Sequence, residues 1–197
     1  MPKQIELPIS EAAVRALKAG DEVEISGVMV TARDAAHKYL VEQKPDALHK
    51  VLNGSMIYHC GPVVSKERGK AGLPVRYRFV AAGPTTSIRE EPYEADVMGL
   101  YKVRGVIGKG GMGAKTLEGC RTHGAVYLHA IGGLAAVLAE RIVEVVDVYM
   151  LEEFGVPEAI WVIRAKNFPA VVTMDAHGNS LHKEVFAKSQ AELAKRL

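Results

Sequence analysis

The spacing of hydrophobic residues along the chain changes repeatedly between two periods. Residues 21–30 (DEVEISGVMV) alternate between apolar and polar positions and include several β-branched side chains, which predicts a β-strand. The same criteria predict strands over residues 55–60, 76–82, 102–107, 124–129, 142–149, 159–164 and 170–175. Gly-Pro pairs directly follow the strands predicted over 55–60 and 76–82, which predicts a sharp turn after each of them.

Helical spacing begins directly after the first predicted strand. The apolar stripe of this helix consists of Ala35, Ala36, Tyr39 and Leu40. Thr31 is a good N-cap and Asp34, three residues later, resembles the second half of a capping box, which places Arg33 in the first turn. Pro45 is predicted to end the helix, because proline cannot continue it.

Strands and helices are interleaved along the whole chain, with further helices predicted after Pro92 and over residues 134–141. No repeat, low-complexity stretch or change in composition marks a boundary, so a single domain over residues 1–197 is expected. The pairs of strands near the end favour an α/β fold with a mixed sheet over a purely parallel, doubly wound sheet.

Composition and charge narrow the class of protein. The chain has 197 residues, of which 48% are hydrophobic and 24% are charged, as in a globular domain with a substantial core. Its formal net charge is +2, without a run of five like charges, so a nucleic-acid-binding surface is not required. There is no apolar signal core at the start and no stretch of eighteen apolar residues, which predicts a cytoplasmic protein.

Only two cysteines, Cys60 and Cys120, are present, and they are far apart in the sequence. This number argues against a disulfide framework and against a self-contained metal centre built from cysteines.

Residues 83–89 (GPTTSIR) are the most informative motif. A strand stops at a rigid turn and presents three hydroxyls and the guanidinium of Arg89, a set of donors suited to a carboxylate. The alternative is a helix start capped by Ser or Thr, with Arg89 paired to Glu90, Glu91 or Glu94.

Residues 108–113 form a glycine-rich loop after a predicted strand and match the spacing GxGxxG. A dinucleotide site needs an acidic residue about twenty positions later, where Gly132 and Gly133 stand instead, and the frame of a Walker A loop is absent. The start of the loop also fits the GxxG of KH RNA-binding domains, which is a very short pattern. What remains is a flexible loop that presents Lys109 among exposed amides, which predicts an anion site.

Residues 31–37 (TARDAAH) offer a second place for an anion, because a helix N-terminus and Arg33 both favour negative charge. The alternative is a solvated face of Arg33 and His37, with Asp34 as a cap. The remaining histidines are His49, His59, His123, His129, His177 and His182. They lack HExxH or zinc-like Cys-His spacing, so ordinary structural or surface roles are expected.

Several motifs in fixed order resemble one known family. TARDAAHK (31–38), GPTTSIR (83–89), GKGGM (108–112), GAVYLHAIGG (124–133) and the stretch from EAIW (158–161) to DAHGNSL (175–181) are similar to the β subunit, or C-terminal domain, of class I fumarases and L(+)-tartrate dehydratases. The resemblance covers nearly the whole chain. Glu90 departs from it, since methionine is expected after the arginine in many relatives.

The resemblance implies a swivelling β/β/α-type domain that docks on a larger α subunit bearing a 4Fe-4S cluster held by three cysteines. The iron without a cysteine ligand would act as a Lewis acid on a substrate carboxylate and hydroxyl. The implied activity is a hydro-lyase that hydrates fumarate to L-malate, in a cytoplasmic, higher-order heteromer. The alternatives are a tartrate dehydratase β subunit, which would form oxaloacetate, and a non-catalytic scaffolding subunit.

Carried over residue by residue, the resemblance gives Thr85 and Lys109 catalytic roles and makes Arg33, Arg89 and Lys109 substrate-binding residues. His37, Asp34 and Thr86 are expected to orient the substrate-binding residues without contacting the substrate. No metal ligand is expected in this chain. A Thr hydroxyl is a poor base, so proton transfer by Thr85 would need an adjacent cation. An RNA-binding module that uses the glycine loop is the competing non-enzymatic reading, which near-neutral charge and few aromatic residues disfavour.

Overall fold

The computed structural model describes residues 1–67 and 75–196. Its strands are β1 (Lys3–Glu6), β2 (Glu22–Thr31), β3 (Met56–Tyr58), β4 (Val63–Glu67), β5 (Arg76–Ala81), β6 (Gly105–Gly108), β7 (Val126–His129), β8 (Ile142–Tyr149) and β9 (Ile160–Met174). Its helices are α1 (Glu11–Arg15), α2 (Asp34–Gln43), α3 (Asp46–Leu52), α4 (Glu94–Tyr101), α5 (Ala114–His123), α6 (Ala135–Glu140), α7 (Leu151–Phe154) and α8 (Leu181–Ala194). A short 3-10 helix spans Ser87–Glu90.

The main sheet is mixed and follows the order β1-β2-β3-β6-β7-β9-β8. Strands β1, β2, β3, β6 and β7 are parallel to one another, whereas β9 is antiparallel to β2, β7 and β8. Because β9 pairs with both β2 and β7, the sheet closes on itself, and β4 and β5 form a separate antiparallel hairpin. The predicted α/β fold with a mixed sheet is confirmed. The swivelling motion and the single-domain boundaries stay predictions.

Alternating residues of the central strands face two different cores. Tyr58, Ile107 and Leu128 belong to the cluster inside the closed sheet, together with Trp161. Their sequence neighbours, such as Ile57, Val106 and Tyr127, belong to the cluster between the sheet and helices α2 to α5. Successive side chains of a strand point to opposite faces, so strands that are buried on both faces read as the continuous apolar runs seen in the sequence.

The two strands predicted at 159–164 and 170–175 are one strand, β9, so that prediction was wrong. Pro169 has no N–H to donate to the ladder, so the sequence predicts a break in the strand. In the structure, Asn167 also has a φ of 50°. Strand β2 nevertheless pairs on both sides of this point, with a shift in register between Ile25 and Gly27. A bulge of this kind absorbs the irregular residues without ending the strand.

The predicted start of the first long helix was also wrong. Thr31 is not an N-cap but the buried last residue of β2, and its Oγ1 accepts a hydrogen bond from the amide of Trp161 at 3.2 Å. Helix α2 begins at Asp34, and Arg33 occupies the N-cap position instead of the first turn. The helix ends at Gln43, ahead of Pro45 as predicted.

The helix expected after Pro92 is confirmed as α4, and the one expected over 134–141 as α6. Several elements had no counterpart among the predictions, including α3, α5 and α8. Within residues 1–67 and 75–196, no helix is both long enough and apolar enough to cross a lipid bilayer.

Candidate active site

The carboxyl ends of the parallel strands meet at one edge of the sheet, where ligand sites of α/β proteins form. Arg33 follows β2, His59 follows β3, Lys109 follows β6, and His129 ends β7. Two of the predicted motifs, 31–37 and 108–113, therefore start at this edge, whereas 83–89 follows β5 of the separate hairpin.

Two of these motifs are joined directly by backbone hydrogen bonds. The amide of Thr85 donates to the carbonyl of His59 at 2.8 Å, and the amide of Lys109 donates to the carbonyl of Thr85 at 3.2 Å. The amide of Ser87 then donates to the carbonyl of Lys109 at 3.0 Å. Residues 85–87 thus run beside the start of the glycine loop like a short extra strand. This pairing fixes Lys109 next to the threonines of the turn.

The two threonines of this turn differ in environment. Thr86 is exposed, whereas the hydroxyl of Thr85 is buried and has no hydrogen-bond partner among the described residues. A buried hydroxyl without a partner costs free energy, on the order of 1–3 kcal/mol. The Thr85 hydroxyl therefore has unused hydrogen-bonding capacity.

Arg89 pairs with Asp34, which brings the third motif into contact with the turn. Its Nε donates to Asp34 Oδ2 at 3.0 Å, and this carboxylate raises the pKa of the guanidinium. The alternative pairing with Glu90, Glu91 or Glu94 is therefore not the one observed. Asp34 uses one oxygen for two guanidinium nitrogens, so further N–H donors of Arg89 remain available to a ligand.

Arg33 is held against the same edge by Glu158. Arg33 Nη1 lies 3.2 Å from Glu158 Oε1, and the other oxygen of Glu158 accepts from the amide of Ala35 at 3.2 Å. The guanidinium also packs against Gly61, where an added Cβ would lie 2.7 Å from Arg33 Nη1. The N-terminus of α2 is thus occupied by a carboxylate of the chain itself, so any external anion here depends on the Arg33 side chain.

The amides at the end of the glycine loop are occupied by a carboxylate of the chain itself. Glu91 accepts from the amide of Gly113 at 2.8 Å and from the amide of Lys115 at 2.9 Å, and the hydroxyl of Thr116 donates to it at 2.6 Å. The anion site around Lys109 stays a prediction. The Lys109 side chain passes over Gly132, where an added Cβ would lie 3.7 Å from Lys109 Cδ.

Glu90 and Asp34 form a pair of carboxyl groups beside Arg89. Glu90 is fully buried, and this burial together with the neighbouring Asp34 raises its pKa to about 8. Burial would also raise the pKa of Asp34, but its contacts with Glu90 and Arg89 lower it. At neutral pH Glu90 therefore carries a proton and Asp34 is ionised, so the pair has the charge of one carboxylate.

A fully buried network of polar side chains lies behind the cations. Glu94 Oε2 lies 3.0 Å from His59 Nε2 and 3.1 Å from His37 Nε2, the latter close enough for an ion pair although not aligned for a hydrogen bond. His37 Nδ1 is 2.9 Å from the carbonyl of Arg33, and His59 Nδ1 is 2.9 Å from Ser87 Oγ. Tyr127, behind the turn, also donates its hydroxyl hydrogen to Ser87 Oγ at 2.9 Å.

The acceptors around each histidine define its protonation. Burial would lower the pKa of His37, but Glu94 raises it, and both ring nitrogens face acceptors, as in an imidazolium. Burial lowers the pKa of His59, which is neutral, donates from Nε2 to Glu94 and accepts from Ser87 at Nδ1. Burial would raise the pKa of Glu94, but the two histidines lower it to about 2.

Most of this buried polar network was not predicted from the sequence. Glu94 was considered only as a partner of Arg89, and Ser87 only as one of three hydroxyls, whereas His59 was assigned an ordinary role. His37, expected to support the site, is buried directly behind Arg33 instead of lying on a solvated face. The available signal was that His59 directly follows a buried strand, at the edge where sites form.

The two cysteines do not fit the ligands of an iron–sulfur cluster. Both are buried, and burial raises the pKa of Cys60 to about 12 and also raises the pKa of Cys120. Iron–sulfur clusters are held mainly by Cys thiolates, and burial disfavours the thiolate form of both cysteines.

The cations lie on an open edge of the molecule instead of in an enclosed cavity. The Arg89 side chain is 53% exposed. A groove of about 740 Å³ lies elsewhere, between β5 and β8, and Arg33, Thr85, Arg89 and Lys109 are not among its lining residues.

Comparisons with known proteins find a matching family model and several relatives. The sequence model of the family described as Fumarase C-terminus matches residues 2–185. A Geobacillus stearothermophilus protein with the provisional name fumarate hydratase class I is 50% identical over 190 residues, which cover 96% of this chain and 35% of that protein. The L(+)-tartrate dehydratase subunit beta of Escherichia coli K12 is 35% identical over 201 residues, which cover 100% of this chain and 96% of the subunit.

A Methanocaldococcus jannaschii protein, provisionally named L(+)-tartrate dehydratase subunit beta, is 39% identical over 188 residues that cover 94% of this chain and 93% of that protein. The chain thus spans about a third of the Geobacillus protein but nearly the whole of both subunits.

Proposed function

This chain belongs to the fumarase C-terminus family, and from that premise we propose that it is the β subunit of a heteromeric hydro-lyase that reversibly hydrates fumarate to L-malate. The observation that carries the proposal is the meeting of three cationic residues, Arg33, Arg89 and Lys109, from three separate motifs at one open edge of the sheet. Its active site would be completed by a larger α subunit.

The chemistry of a dicarboxylate suits these cations. Fumarate and malate carry two carboxylates, and a carboxylate that is not at the reacting carbon needs a fixed cationic partner. Arg33 and Arg89 are each oriented by a carboxylate of the chain and keep unused N–H donors for this task. Removing a proton next to a carboxylate builds enolate-like charge, which Lys109 would stabilise.

Thr85 is the proposed residue for proton transfer. Its buried hydroxyl lacks a partner among the described residues, and its carbonyl accepts from the amide of Lys109. A Thr hydroxyl needs a nearby cation to lose its proton near neutral pH, and Lys109 and Arg89 are the candidates for this cation.

The α subunit would hold the 4Fe-4S cluster, because the two buried, protonated thiols of this chain do not fit it. When bound there, the cluster would supply Lewis-acid chemistry. The half of the site in this chain would bind and orient the dicarboxylate and move its proton. A cytoplasmic location and a higher-order heteromer are further parts of the proposal.

Tartrate dehydratase, which forms oxaloacetate, is the alternative substrate assignment. The higher identity is to the protein named for fumarate, whereas the relatives of matching length are named as tartrate dehydratase subunits. Both substrates are dicarboxylate dianions, so the same cations serve either reaction. A non-catalytic scaffolding subunit is the third possibility, and the Lys109 variant described in the Discussion separates it from the first two.

Anaerobic co-expression with a cysteine-containing α subunit of the same family tests the proposal. The purified complex should contain iron and sulfide, and it should be assayed with fumarate, L-malate and both tartrate enantiomers. We expect faster turnover of fumarate and L-malate than of either tartrate. Preference for one tartrate would reassign the substrate, and failure of the chain to bind any such α subunit would overturn the proposal.

A further inference from the structure

One buried carboxylate, that of Glu94, links the separate segments of the site. Resting on the proposed function, we propose that Glu94 is a positioning residue that fixes the start of α2, which carries Arg33, relative to the turn that carries Thr85 and Arg89. It acts through His37 on the first segment and through His59 on the second.

Each of the two histidines connects Glu94 to one segment of the site. Each ring uses one nitrogen on Glu94 and the other on a site segment: His37 contacts the carbonyl of Arg33, and His59 contacts the hydroxyl of Ser87. In addition, the carbonyl of His59 accepts from the amide of Thr85 at 2.8 Å. A shift of either ring would therefore move the backbone of a residue in the proposed site.

A packing role alone does not explain an ionised group at this position. His37, His59 and Glu94 are each 0% exposed, and the second oxygen of Glu94 has no hydrogen-bond partner among the described residues. A buried ion pair is costly to desolvate, and apolar side chains of similar volume often stabilise a protein equally well or better. What the charged cluster provides is fixed orientation, because its hydrogen bonds join His59 to Glu94 and Ser87 and His37 to the carbonyl of Arg33.

The same link reaches Lys109. The amide of Ser87 donates to the carbonyl of Lys109, and Tyr127 holds Ser87 Oγ from the opposite side. A displacement of about 1 Å in a catalytic group can cost roughly a hundredfold in rate. Glu94 is thus placed to affect substrate binding and turnover without touching the substrate.

The competing reading is a metal site, since two histidines and one carboxylate offer ligand atoms within 4.8 Å of one another. In the positioning role the Nε2 atoms of His37 and His59 face the carboxylate of Glu94 directly and need no ion between them. Metal analysis of the purified chain separates the two readings: one bound zinc, manganese or iron per chain that is lost in Glu94→Gln would overturn the proposal.

Glu94→Gln in the assembled complex is the main test, with Asp175→Asn as its matched control. Asp175 is also a fully buried carboxylate, but it directly follows the C-terminal end of β9, where it accepts hydrogen bonds from the amides of His177 and Asn179. We expect Glu94→Gln to lower kcat/KM by about 10- to 100-fold and to raise both KM and the inhibition constant of succinate. Asp175→Asn should lower thermal stability and leave kcat/KM within about twofold of wild type.

A milder variant guards against failure of Glu94→Gln to fold. Ser87→Ala removes the hydroxyl through which His59 holds the turn, and we expect it to lower kcat/KM by about tenfold while the complex still assembles. Unchanged kcat/KM and KM in a folded Glu94→Gln or Ser87→Ala complex would overturn the positioning role.

A readout without activity separates this proposal from the proposed function. In the full chain alone, the ring ¹⁵N signals of His37, which faces Glu94, Glu90 and His59, should titrate at a higher pH than those of a free imidazole, because Glu94 raises the pKa of His37. In Glu94→Gln this titration should move to lower pH. A wild-type complex without hydro-lyase activity would refute the proposed function, whereas a His37 titration that Glu94→Gln leaves unchanged would refute the positioning role.

Discussion

The guanidinium of Arg89 donates from Nε to Oδ2 of Asp34 over 3.0 Å, although 55 positions separate the two residues in the chain. This pair joins the turn after β5 to the start of α2 and orients an arginine whose side chain is 53% exposed. An exposed pair of this kind adds little to stability, about 0–1 kcal/mol, so its effect is expected in binding.

Asp34→Asn should therefore impair substrate binding more than folding. We expect KM for the dicarboxylate to rise by about 3- to 10-fold, because Arg89 loses its charged partner and its fixed orientation, with a change in unfolding free energy below about 1 kcal/mol. Steady-state kinetics of the assembled complex and urea unfolding of the chain measure the two effects. Glu144→Gln, which breaks the comparable exposed pair with Arg164, is the control and should leave KM unchanged. Equal KM values for both variants would show that the pair with Asp34 does not orient Arg89 for binding.

Glu90→Gln should stabilise the chain at alkaline pH. The pKa of Glu90 is about 8 in the folded chain against 4.5 for the free side chain, so the folded state binds more protons between these values, and stability falls as the pH rises through that window. We expect the gain in unfolding free energy from Glu90→Gln to be larger at pH 8 than at pH 5, by on the order of 2 kcal/mol.

Urea unfolding at several pH values measures this difference. Glu118→Gln is a control of opposite sign, because the hydrogen bond from Arg121 lowers the pKa of Glu118, and its removal should reduce stability at neutral pH. A stability gain from Glu90→Gln that does not vary with pH would show that Glu90 is ionised in the folded chain.

Gly108→Ala should disrupt the site and the fold together. An added Cβ would lie 1.8 Å from Ser87 Oγ and 3.2 Å from His59 Nδ1, in a fully buried place. We expect a loss of about 3 kcal/mol or more in unfolding free energy, because neither neighbour has room to move. Gly132→Ala is the control, since its Cβ would meet Lys109 Cδ at an ordinary 3.7 Å. Comparable stability of the two variants in thermal unfolding would contradict the packing around Ser87.

Thr85→Ala should separate turnover from binding. If the buried hydroxyl moves the proton, kcat should fall by about 100-fold or more while KM stays within about threefold, and Thr85→Ser should restore most of the rate. Both constants come from initial rates of fumarate hydration by the complex. Wild-type turnover in Thr85→Ala would exclude Thr85 from the mechanism.

Much of the fold could be predicted from local patterns, because most strands have long apolar or alternating runs. Strand β8 spans the residues predicted for it, and α4 follows Pro92 as expected. The prediction failed where tertiary pairing overrides a local signal: strand β9 continues through Asn167 and Pro169 because β2 pairs with it on both sides. Helix α5 was missed because its N-terminus is capped by Glu91, a residue from a distant segment.

The candidate site, like the fold, could be predicted only in part from the sequence. The cations and hydroxyls of short motifs were visible in the sequence, since Gly-Pro turns and glycine loops mark where strands end. The pairing of Asp34 with Arg89 was not, nor was the approach of Glu158 and Glu94, because these contacts join elements that are distant in the sequence. The protonation of His37, His59 and Glu90 depends on burial and neighbours, which no local pattern encodes.

Lys109→Ala in the assembled complex tests whether this chain supplies half of an active site. Lys115→Ala, which changes an exposed lysine six positions later on α5, is the matched control, and co-elution with the α subunit reports assembly. We expect Lys109→Ala to assemble normally but to lose at least about 100-fold in kcat/KM, whereas Lys115→Ala keeps wild-type activity. Full activity of an assembled Lys109→Ala complex would show instead that the subunit only scaffolds its partner.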